Sequence, residues 1–437
     1  MGHLVGKGIY RKLGKKIDQL AMRAPWNATF HAVLKELYTR EEADLIVRMP
    51  YGLSEIETLG KITKIEESRL KKLLDGLCKK GLVLDLYIEG IYRYAPSPIV
   101  IGIFEFTMMR TGSDVDLKTI SELFHRYLLG RETFQAANFK KGERISPMRI
   151  LPHETAVAAD EYVEILDYEK AAAIIESHDK FSIGICSCRH EKHHLGTRGC
   201  DVPLEVCSSF GYSADYLIRN NLSKEVSKTE MLEHLSRSQE RGLVLNTDNV
   251  KNSVGFMCHC CKCCCSVLLG IRKFGYPNIM VTSNFIALID PEECSGCGLC
   301  VAACPIDAIE VEAPDPSAPK KKKPPRVDET LCLGCGVCAL KCKKGALKLH
   351  RREQRVFYPE TSFERVILQC LERGTLQYQL FDNPGSIGQK ILRAFVGGFL
   401  RLPPVKKALL SDLLRSRFLG VMKAGAGKLG KGWAVDL

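Results

Sequence analysis

Apolar residues recur at helical spacing in the first eighty positions of the chain, which predicts a run of short helices. A second helix is expected to begin at Ser54, and a third is expected to end at Gly81 because glycine favours helix ends. The three apolar stripes consist of Phe30, Val33, Leu34 and Leu37; of Leu53, Ile56 and Leu59; and of Ile65, Leu70, Leu73, Leu74 and Leu77.

The helical pattern gives way to alternation of apolar and polar residues in 82–88 and 91–94. Glu89–Gly90 separates the two runs, and a two-residue turn with glycine between alternating runs is typical of a β-hairpin. Three helices followed by a hairpin predict a winged helix over residues 28–95, after an N-terminal segment 1–27.

The remaining apolar patterns divide the chain further. Residues 96–180 are predicted to be mostly helical, and residues 351–437 to be helical and amphipathic. The longest apolar run, Ile99–Met109, is short and contains Glu105, so no membrane-spanning helix is expected. The predicted fold class is α+β.

Composition adds one unusual feature to an ordinary globular chain of 437 residues, namely its 20 cysteines. All but Cys78 and Cys370 lie between Cys186 and Cys342. The N-terminus, Met1–Lys16, has no continuous apolar stretch and does not resemble a signal peptide. A cytoplasmic location is therefore expected, and thiolate–metal chemistry is favoured over disulfides.

The positive charge is concentrated at the end of the chain. The formal net charge is +12, and residues 386–437 hold ten Lys or Arg against Asp412 and Asp436. Peripheral contact with an anionic membrane surface is one interpretation, and packing of a terminal helix on its own domain is the alternative. The apolar stripe of this segment is Ile391, Leu392, Phe395, Phe399 and Leu402.

Two runs of cysteines near residue 300 have the spacing of iron–sulfur ligands. The first reads CxxCxxCxxxCP from Cys294, and the second repeats CxxCxxCxxxC from Cys332. Three closely spaced cysteines wrap three corners of a cubane, and the fourth of each run completes the other cluster. Cluster A is assigned to Cys294, Cys297, Cys300 and Cys342, and cluster B to Cys332, Cys335, Cys338 and Cys304.

This pattern resembles the bacterial two-cluster [4Fe–4S] ferredoxin family over residues 285–350. The resemblance implies single-electron transfer at low potential. Lys343 stands where the family usually has proline, which leaves the ligands intact and places a cation near Cys342. Residues 313–325, rich in Pro and Lys, are expected to form an exposed loop inside this domain. Paired structural zinc sites are the alternative, but these usually use two separated CxxC pairs.

Ten further cysteines form an upstream region, residues 181–284, whose ligand grouping is open. Iron–sulfur clusters are favoured over zinc by association with the neighbouring domain. Neighbouring side chains diverge, so adjacent cysteines are expected to serve a bulky cluster more easily than one small ion. The ten are Cys186, Cys188, Cys200, Cys207, Cys258, Cys260, Cys261, Cys263, Cys264 and Cys265. The first four could close one site and the last six another, or the two runs could share ligands. The alternative histidine ligands are His190, His193, His194 and His259.

The whole cysteine pattern, CxCR…GC…PxExC…CxCCxCC, looks like that of a poorly characterised family of iron–sulfur proteins of anaerobes, over residues 180–350. The resemblance implies redox work in anaerobic metabolism without a defined reaction.

Three functions follow as hypotheses. An electron carrier serving an oxidoreductase partner is favoured, since no nucleophile, base dyad or flavin site is evident and no catalytic residue is assigned. A redox-sensing regulator would use the basic residues near the third helix on DNA, although Glu66 and Glu67 stand at that helix's start. An enzyme with an unusual cluster is the third. The basic residues are Arg69, Lys71, Lys72, Lys79 and Lys80.

Overall fold

A computed structural model describes residues 8–112, 114–139, 145–311 and 324–437. The fold is mixed, with helices throughout and four β-sheets in these ranges. Of the loop predicted over 313–325, all but the last two residues lies outside the described residues.

From residue 8 onward, where the structure is described, five helices and a small antiparallel sheet form the N-terminal part of the molecule. The sheet has the order β1-β3-β2, with β1 at Ser54–Glu55, β2 at Val83–Ile88 and β3 at Ile91–Pro96. The hairpin turns at Glu89–Gly90, where both residues have positive φ. The helices are α1 (Ile9–Asp18), α2 (Ala28–Leu37), α3 (Arg40–Arg48), α4 (Ile56–Thr63) and α5 (Glu67–Lys79).

Two details differ from the expected pattern. The helix expected from Ser54 begins at Ile56, because Ser54 and Glu55 pair with Tyr94 and Arg93 as a short strand. Helix α3 was not expected from the apolar stripes. A capping box fixes its start: the Thr39 side chain accepts from the backbone N–H of Glu42, and the Glu42 carboxylate accepts from the backbone N–H of Thr39.

The middle region contributes both helices and a strand. Its helices are α6 (Phe104–Met109), α7 (Leu117–Leu128), α8 (Thr133–Asn138) and α9 (Ala171–Glu176). Met148–Leu151, within the stretch expected to be mostly helical, forms strand β4 of the large sheet and is buried throughout. A short buried strand lacks the alternation by which a half-buried strand is identified.

A seven-stranded sheet organises the upstream cysteine region. Its order is β10-β4-β8-β9-β6-β5-β7, with only β10 and β4 parallel among the described pairs. The remaining strands are β5 (Phe181–Ile185), β6 (Glu205–Phe210), β7 (Ser223–Val226), β8 (Val244–Asp248), β9 (Phe256–Cys260) and β10 (Met280–Val281). The helices of this region are α10 (Ser187–His194), α11 (Gly211–Arg219), α12 (Lys228–Glu240) and α13 (Ser266–Phe274), of which α11 and α12 pack on the sheet.

In its described residues, the segment with the two regular cysteine runs has two short helices and two two-stranded sheets. β11 (Phe285–Ile289) pairs antiparallel with β14 (Leu347–Arg351), so the first and last strands of the segment lie side by side. β12 (Ile309–Glu310) pairs with β13 (Arg326–Val327). Helices α14 (Leu299–Ala303) and α15 (Val337–Leu340) each begin just after a glycine with positive φ.

The C-terminal part is helical. Among the described residues, no helix combines the length and the apolar character needed to cross a bilayer. The helices are α16 (Ser362–Arg373), α17 (Leu376–Leu380), α18 (Ile387–Leu400), α19 (Pro403–Leu410) and α20 (Asp412–Lys428).

One hydrophobic core joins the parts that carry the cysteines. It contains Phe30 of the N-terminal helices, Phe124 of the middle region, Cys260 and Cys265 of the upstream region, and Cys335 of the second run. The upstream region and the segment 285–350 are therefore packed together around shared apolar side chains.

Candidate metal centres

The cysteines assigned to cluster B lie together and are buried. Burial raises the pKa of the Cys338 thiol, and charges at Cys335, Cys332 and Cys304 raise it further. Burial likewise raises the pKa of Cys335 to about 12, with added effects of Cys332 and Cys304. Cys304, from the first run, thus stands beside three cysteines of the second run, which is the arrangement that two interleaved clusters require.

The cysteines assigned to cluster A are nearer to solvent. Cys297 is exposed, whereas Cys294, Cys300 and Cys342 are half-buried. Burial raises the pKa of Cys300, and charges at Cys294 and Cys297 add to that effect, so these three are neighbours. The membership of Cys342 stays a prediction.

Backbone donors reach two of these sulfurs. Gly296 N–H donates to Cys294 Sγ at 3.4 Å, and Ala308 N–H donates to Cys304 Sγ at 3.2 Å. Such bonds offset the negative charge of a cluster. Gly334 has a further role, because a Cβ there would overlap the carbonyl oxygen of Phe285 on β11.

The ten upstream cysteines divide into a group of four and a group of six. In the four-cysteine group, Cys200, Cys261, Cys263 and Cys264, all four sulfurs lie within 4.8 Å of one another. The contact with Cys264, acting against burial, lowers the pKa of Cys261 to about 4, and Arg189 adds to this effect. Cys200 lies in the loop between α10 and β6. The other three cysteines lie in the turn between β9 and α13.

The six-cysteine group is Cys186, Cys188, Cys207, Cys258, Cys260 and Cys265. The side chains of Cys207 and Cys258 interact, as do those of Cys258 and Cys260 and of Cys260 and Cys265. Cys265 interacts in turn with Cys188. Cys186 is the sixth member of the group. The charge of Cys186 acts on Cys260, and the charges of Cys188 and Cys207 act on Cys186.

Sheet register explains how the six come together. β5, β6 and β9 are neighbours, and Cys186 follows β5 directly. Cys207 lies on β6 opposite Gly184. Cys258 and Cys260 lie on the same face of β9, since side chains alternate along a strand.

Arg189 is fully buried between the two groups. Its Nη2 donates to Cys261 Sγ at 3.4 Å and to the His259 carbonyl at 3.0 Å. Burial acts to lower its pKa, but charges at Cys186 and Cys261 outweigh burial, and the pKa is raised. A buried guanidinium of this kind compensates thiolate charge from both groups.

A cavity of about 1590 Å³ opens beside the six-cysteine group. All six of those cysteines line it, whereas the four-cysteine group is not among its described lining residues. Glu105 is also in its wall, where Gly102 N–H donates to Oε2 at 3.0 Å. Burial raises the pKa of Glu105 to about 7. No sequence signal connected Glu105 with the cysteines, because helix α6 meets α10 only in the tertiary structure.

The histidines considered as ligands contact other groups. His259 Nε2 lies 2.9 Å from Ser208 Oγ, on the β9 face opposite the two cysteines. His190 Nδ1 lies 2.7 Å from the Met108 carbonyl oxygen, and its Nε2 lies 2.9 Å from His194 Nε2. His193 contacts both neighbouring imidazole rings. The ten upstream cysteines are therefore the better ligand set.

Two contacts join the upstream region to cluster B's surroundings. Lys262, between Cys261 and Cys263, donates to Asp307 Oδ1 at 2.6 Å. Its charge also acts on Cys304, whose pKa is raised mainly by burial. His153 N–H donates to the Cys335 carbonyl at 3.1 Å, and its Nε2 lies 2.8 Å from the Leu243 carbonyl beside β8.

Comparisons with known proteins give a match in one segment. Residues 293–346 match the family of 4Fe-4S dicluster domains. A ferredoxin of Rickettsia felis is 55% identical over 32 residues, which are 7% of this chain and 29% of that ferredoxin. No solved structure matches the chain significantly. The chain thus contains a ferredoxin-type iron–sulfur domain, and its cysteines support further metal sites upstream.

Proposed function

We propose that this protein relays single electrons between an oxidoreductase partner and a metal centre in its own upstream region. Cluster A, held by Cys294, Cys297, Cys300 and Cys342, is the entry or exit point because its cysteines are the more exposed set. Cluster B, held by Cys332, Cys335, Cys338 and Cys304, is the buried step. When bound, such clusters each accept and release one electron.

The observation that carries this proposal is the shared packing of cluster B's ligands with upstream cysteines. Cys335 and Cys338 belong to the same core as Cys260 and Cys265. Lys262 connects the two regions at the surface, since its ammonium group contacts Asp307 and its charge acts on Cys304. Electrons passing from the ferredoxin domain into the six-cysteine group would move within one shared core.

Anaerobic redox titration of the whole protein tests the relay. Iron and sulfide analysis should give about eight irons for the two ferredoxin clusters and additional iron for the upstream region. Reduction monitored by EPR should give signals from more than two centres, with magnetic coupling between neighbouring clusters. A preparation with no iron and no labile sulfide would overturn the proposal.

A second candidate function, chemistry at the six-cysteine group, is favoured by the cavity that all six cysteines line. One [4Fe–4S] cubane uses four thiolates, so six converging thiolates suit a larger cluster. The cavity wall around it is mostly apolar, and Glu105 supplies a carboxyl group in that wall. Carbon monoxide and cyanide are suitable probes: a change in the upstream EPR signal, with the ferredoxin signals unchanged, would favour an enzyme over a carrier.

A role on DNA has less support from the described contacts. Residues 28–95 have the helix and hairpin order of a winged helix, and we propose that they dock a protein partner. Arg69 is engaged with Glu41 at 2.6 Å, and Glu66 accepts from Ser68 and Arg69 N–H at the start of α5. A sequence-specific gel shift would instead support the redox-sensing regulator.

We also propose that the chain belongs to the family of anaerobe iron–sulfur proteins and that the protein is located in the cytoplasm.

A further inference from the structure

The four-cysteine group has the dimensions of a site for one metal ion. Its Cys200 Sγ lies 3.6 Å from Cys261 Sγ and 3.9 Å from Cys264 Sγ. Cys263 Sγ lies 3.7 Å from Cys261 Sγ and 3.5 Å from Cys264 Sγ. Four of the six sulfur–sulfur separations are therefore 3.5–3.9 Å, and the other two are at most 4.8 Å, so the sulfurs form one compact group.

The sulfur–sulfur separation distinguishes a single ion from a cluster. A Zn–S distance of about 2.3 Å in tetrahedral coordination gives sulfur–sulfur edges of roughly 3.8 Å. A cubane would hold its four thiolates much farther apart, because four irons and four sulfides lie between them. We propose that Cys200, Cys261, Cys263 and Cys264 bind one Zn²⁺ ion, separate from the iron of the six-cysteine group.

The local chain explains how adjacent cysteines share one ion. Cys263 and Cys264 both reach the group, although neighbouring side chains usually diverge, while Cys265 lies in the six-cysteine group beside Cys188. The turn after β9 therefore separates the two sites within one residue. Gly199 allows the close approach of Cys200, because a Cβ at Gly199 would lie 3.2 Å from Cys263 Cβ.

The surroundings suit a tetrathiolate zinc site. Four thiolates and one Zn²⁺ carry a net charge of −2, and the buried Arg189 donates to Cys261 Sγ at 3.4 Å. The apolar residues Val202, Val206 and Leu243 pack around the same four cysteines as a separate small core. Such an ion would fix the loop that carries Cys200 to the turn after β9.

Metal analysis of the anaerobically purified holoprotein tests the proposal. About one zinc per chain is expected besides the iron, and zinc X-ray absorption should show four sulfur ligands at about 2.3 Å. Cys264→Ser and Cys200→Ser should lower zinc at least fivefold and leave the ferredoxin EPR signals unchanged. Cys188→Ser should lower iron and not zinc, and Cys370→Ala is the control for loss of a buried cysteine.

The outcomes separate this proposal from the electron relay on which it rests. No zinc in the wild type, or iron lost with Cys264→Ser, would overturn the zinc site and leave the relay intact. A mononuclear iron spectrum from the four-cysteine group would overturn the choice of zinc. If a variant does not accumulate, cobalt substitution of the wild type still decides the matter, since tetrahedral cobalt–thiolate absorption is expected.

A different observation carries a second proposal. Helix α18 directs its apolar side chains to solvent, with Ile387 78%, Ile391 65%, Phe395 79% and Phe399 56% exposed. Its inner face carries Arg393, Gly397 and Leu400, and Arg393 donates to the carbonyl of Phe381 at 2.7 Å. An outward apolar stripe of this length is unusual for a surface helix of a globular protein.

Positive charge is concentrated in the same C-terminal segment as the stripe. Residues 386–437 carry ten Lys or Arg against two Asp. The side chains of Lys390, Lys407, Arg417 and Lys428 are exposed. We infer that this face, the α18 stripe, lies on an anionic phospholipid surface, with the phenylalanines among the acyl chains and the basic residues at the headgroups.

Vesicle sedimentation with the full-length holoprotein tests this inference. Binding to vesicles with phosphatidylglycerol should exceed binding to phosphatidylcholine vesicles by at least tenfold and fall with added salt. Ile391→Glu with Phe395→Glu should abolish it. Val163→Glu, at a valine that is 85% exposed in another region, is the matched control. Equal binding by the double variant, or burial of the stripe in a dimer seen by light scattering, would overturn it.

Discussion

Lys262 Nζ lies 2.6 Å from Asp307 Oδ1, and this ion pair joins the turn of the four-cysteine group to the residues that follow Cys304. Arg272 contacts the other carboxylate oxygen of Asp307 at 2.6 Å. Both cations are partly exposed, so the pairs add little to stability, about 0–1 kcal/mol each. Their positions matter more for the charge around cluster B.

Lys262→Gln is expected to lower the reduction potential of cluster B. The reduced cluster carries one more negative charge, and Lys262 favours that state because its charge acts on Cys304. The shift should be on the order of tens of millivolts, since ~59 mV is a tenfold change for one electron. Potentiometric EPR titration measures it, with Lys64→Gln as the distant control. A shift confined to cluster A would contradict the placement of Lys262.

Cys304→Ser tests the interleaving of the two clusters. Although Cys304 belongs to the first run, its substitution should remove or convert cluster B, because Cys304 lies beside Cys332 and Cys338. Cys300→Ser should affect cluster A instead. Iron content and EPR of the reduced variants distinguish the two. Loss of the same signal in both variants would show that each run holds its own cluster.

Gly334→Ala should destabilise the ferredoxin domain more than Gly345→Ala does. Both glycines have a φ of 69°, so both substitutions strain the backbone by roughly 1–2 kcal/mol. A Cβ at Gly334 would also overlap the Phe285 carbonyl oxygen, whereas the space at Gly345 is open. The difference in thermal midpoint, followed by loss of cluster absorbance, measures the overlap. Equal midpoints would mean that β11 moves away from the added Cβ without loss of stability.

Arg189→Gln is expected to destabilise the upstream region. Removing one partner of a buried charged pair leaves the thiolates uncompensated, which typically costs ~3–5 kcal/mol. Arg189→Lys keeps the charge but cannot donate to Cys261 Sγ, His259 O and Pro203 O at once. Metal content and thermal midpoints should rank wild type, lysine and glutamine in that order. A fully loaded, equally stable glutamine variant would contradict the role in charge compensation.

The free energy of unfolding should fall as the pH rises from the ordinary pKa of Glu105 to its raised pKa in the folded protein. Burial raises its pKa from 4.5 to about 7 in the folded protein, so above about pH 4.5 the unfolded chain loses this proton first. The folded state therefore loses stability between about pH 4.5 and 7, by about 3 kcal/mol at most. The groups acting on the carboxyl are the backbone N–H groups of Ile101, Gly102 and Glu105 itself, which oppose the effect of burial, and Cys207.

Glu105→Gln should remove this component. Thermal midpoints of the wild type and the variant should be similar at pH 5, and the variant should be the more stable at pH 8. Glu161→Gln is the control, because the Glu161 side chain is partly exposed. Parallel pH profiles for wild type and Glu105→Gln would mean that Glu105 is solvated.

The sequence by itself determined the ferredoxin-type domain. Its eight cysteines lie at spacings that a short stretch of chain imposes on a cubane, and glycines at positive φ lie between them. The hairpin around Glu89–Gly90 was equally local, because the turn residues and the alternation on each side are contiguous. Strand β4 was missed because a strand buried on both faces shows no alternation, whereas helix α3 was missed although Thr39 and Glu42 form a capping box at its start.

Tertiary structure alone decided the upstream groups and the orientation of α18. Cys186, Cys207 and Cys258 come together through the order of β5, β6 and β9, and no spacing in the chain encodes which strands are neighbours. Cys264 and Cys265 belong to different groups because of the direction of the turn between β9 and α13. Similarly, the stripe of α18 was visible in the sequence, but its phenylalanines are exposed only because the helix packs through Arg393, Gly397 and Leu400. Local spacing fixes a site whose ligands are neighbours in the chain, whereas long-range pairing fixes one whose ligands are not.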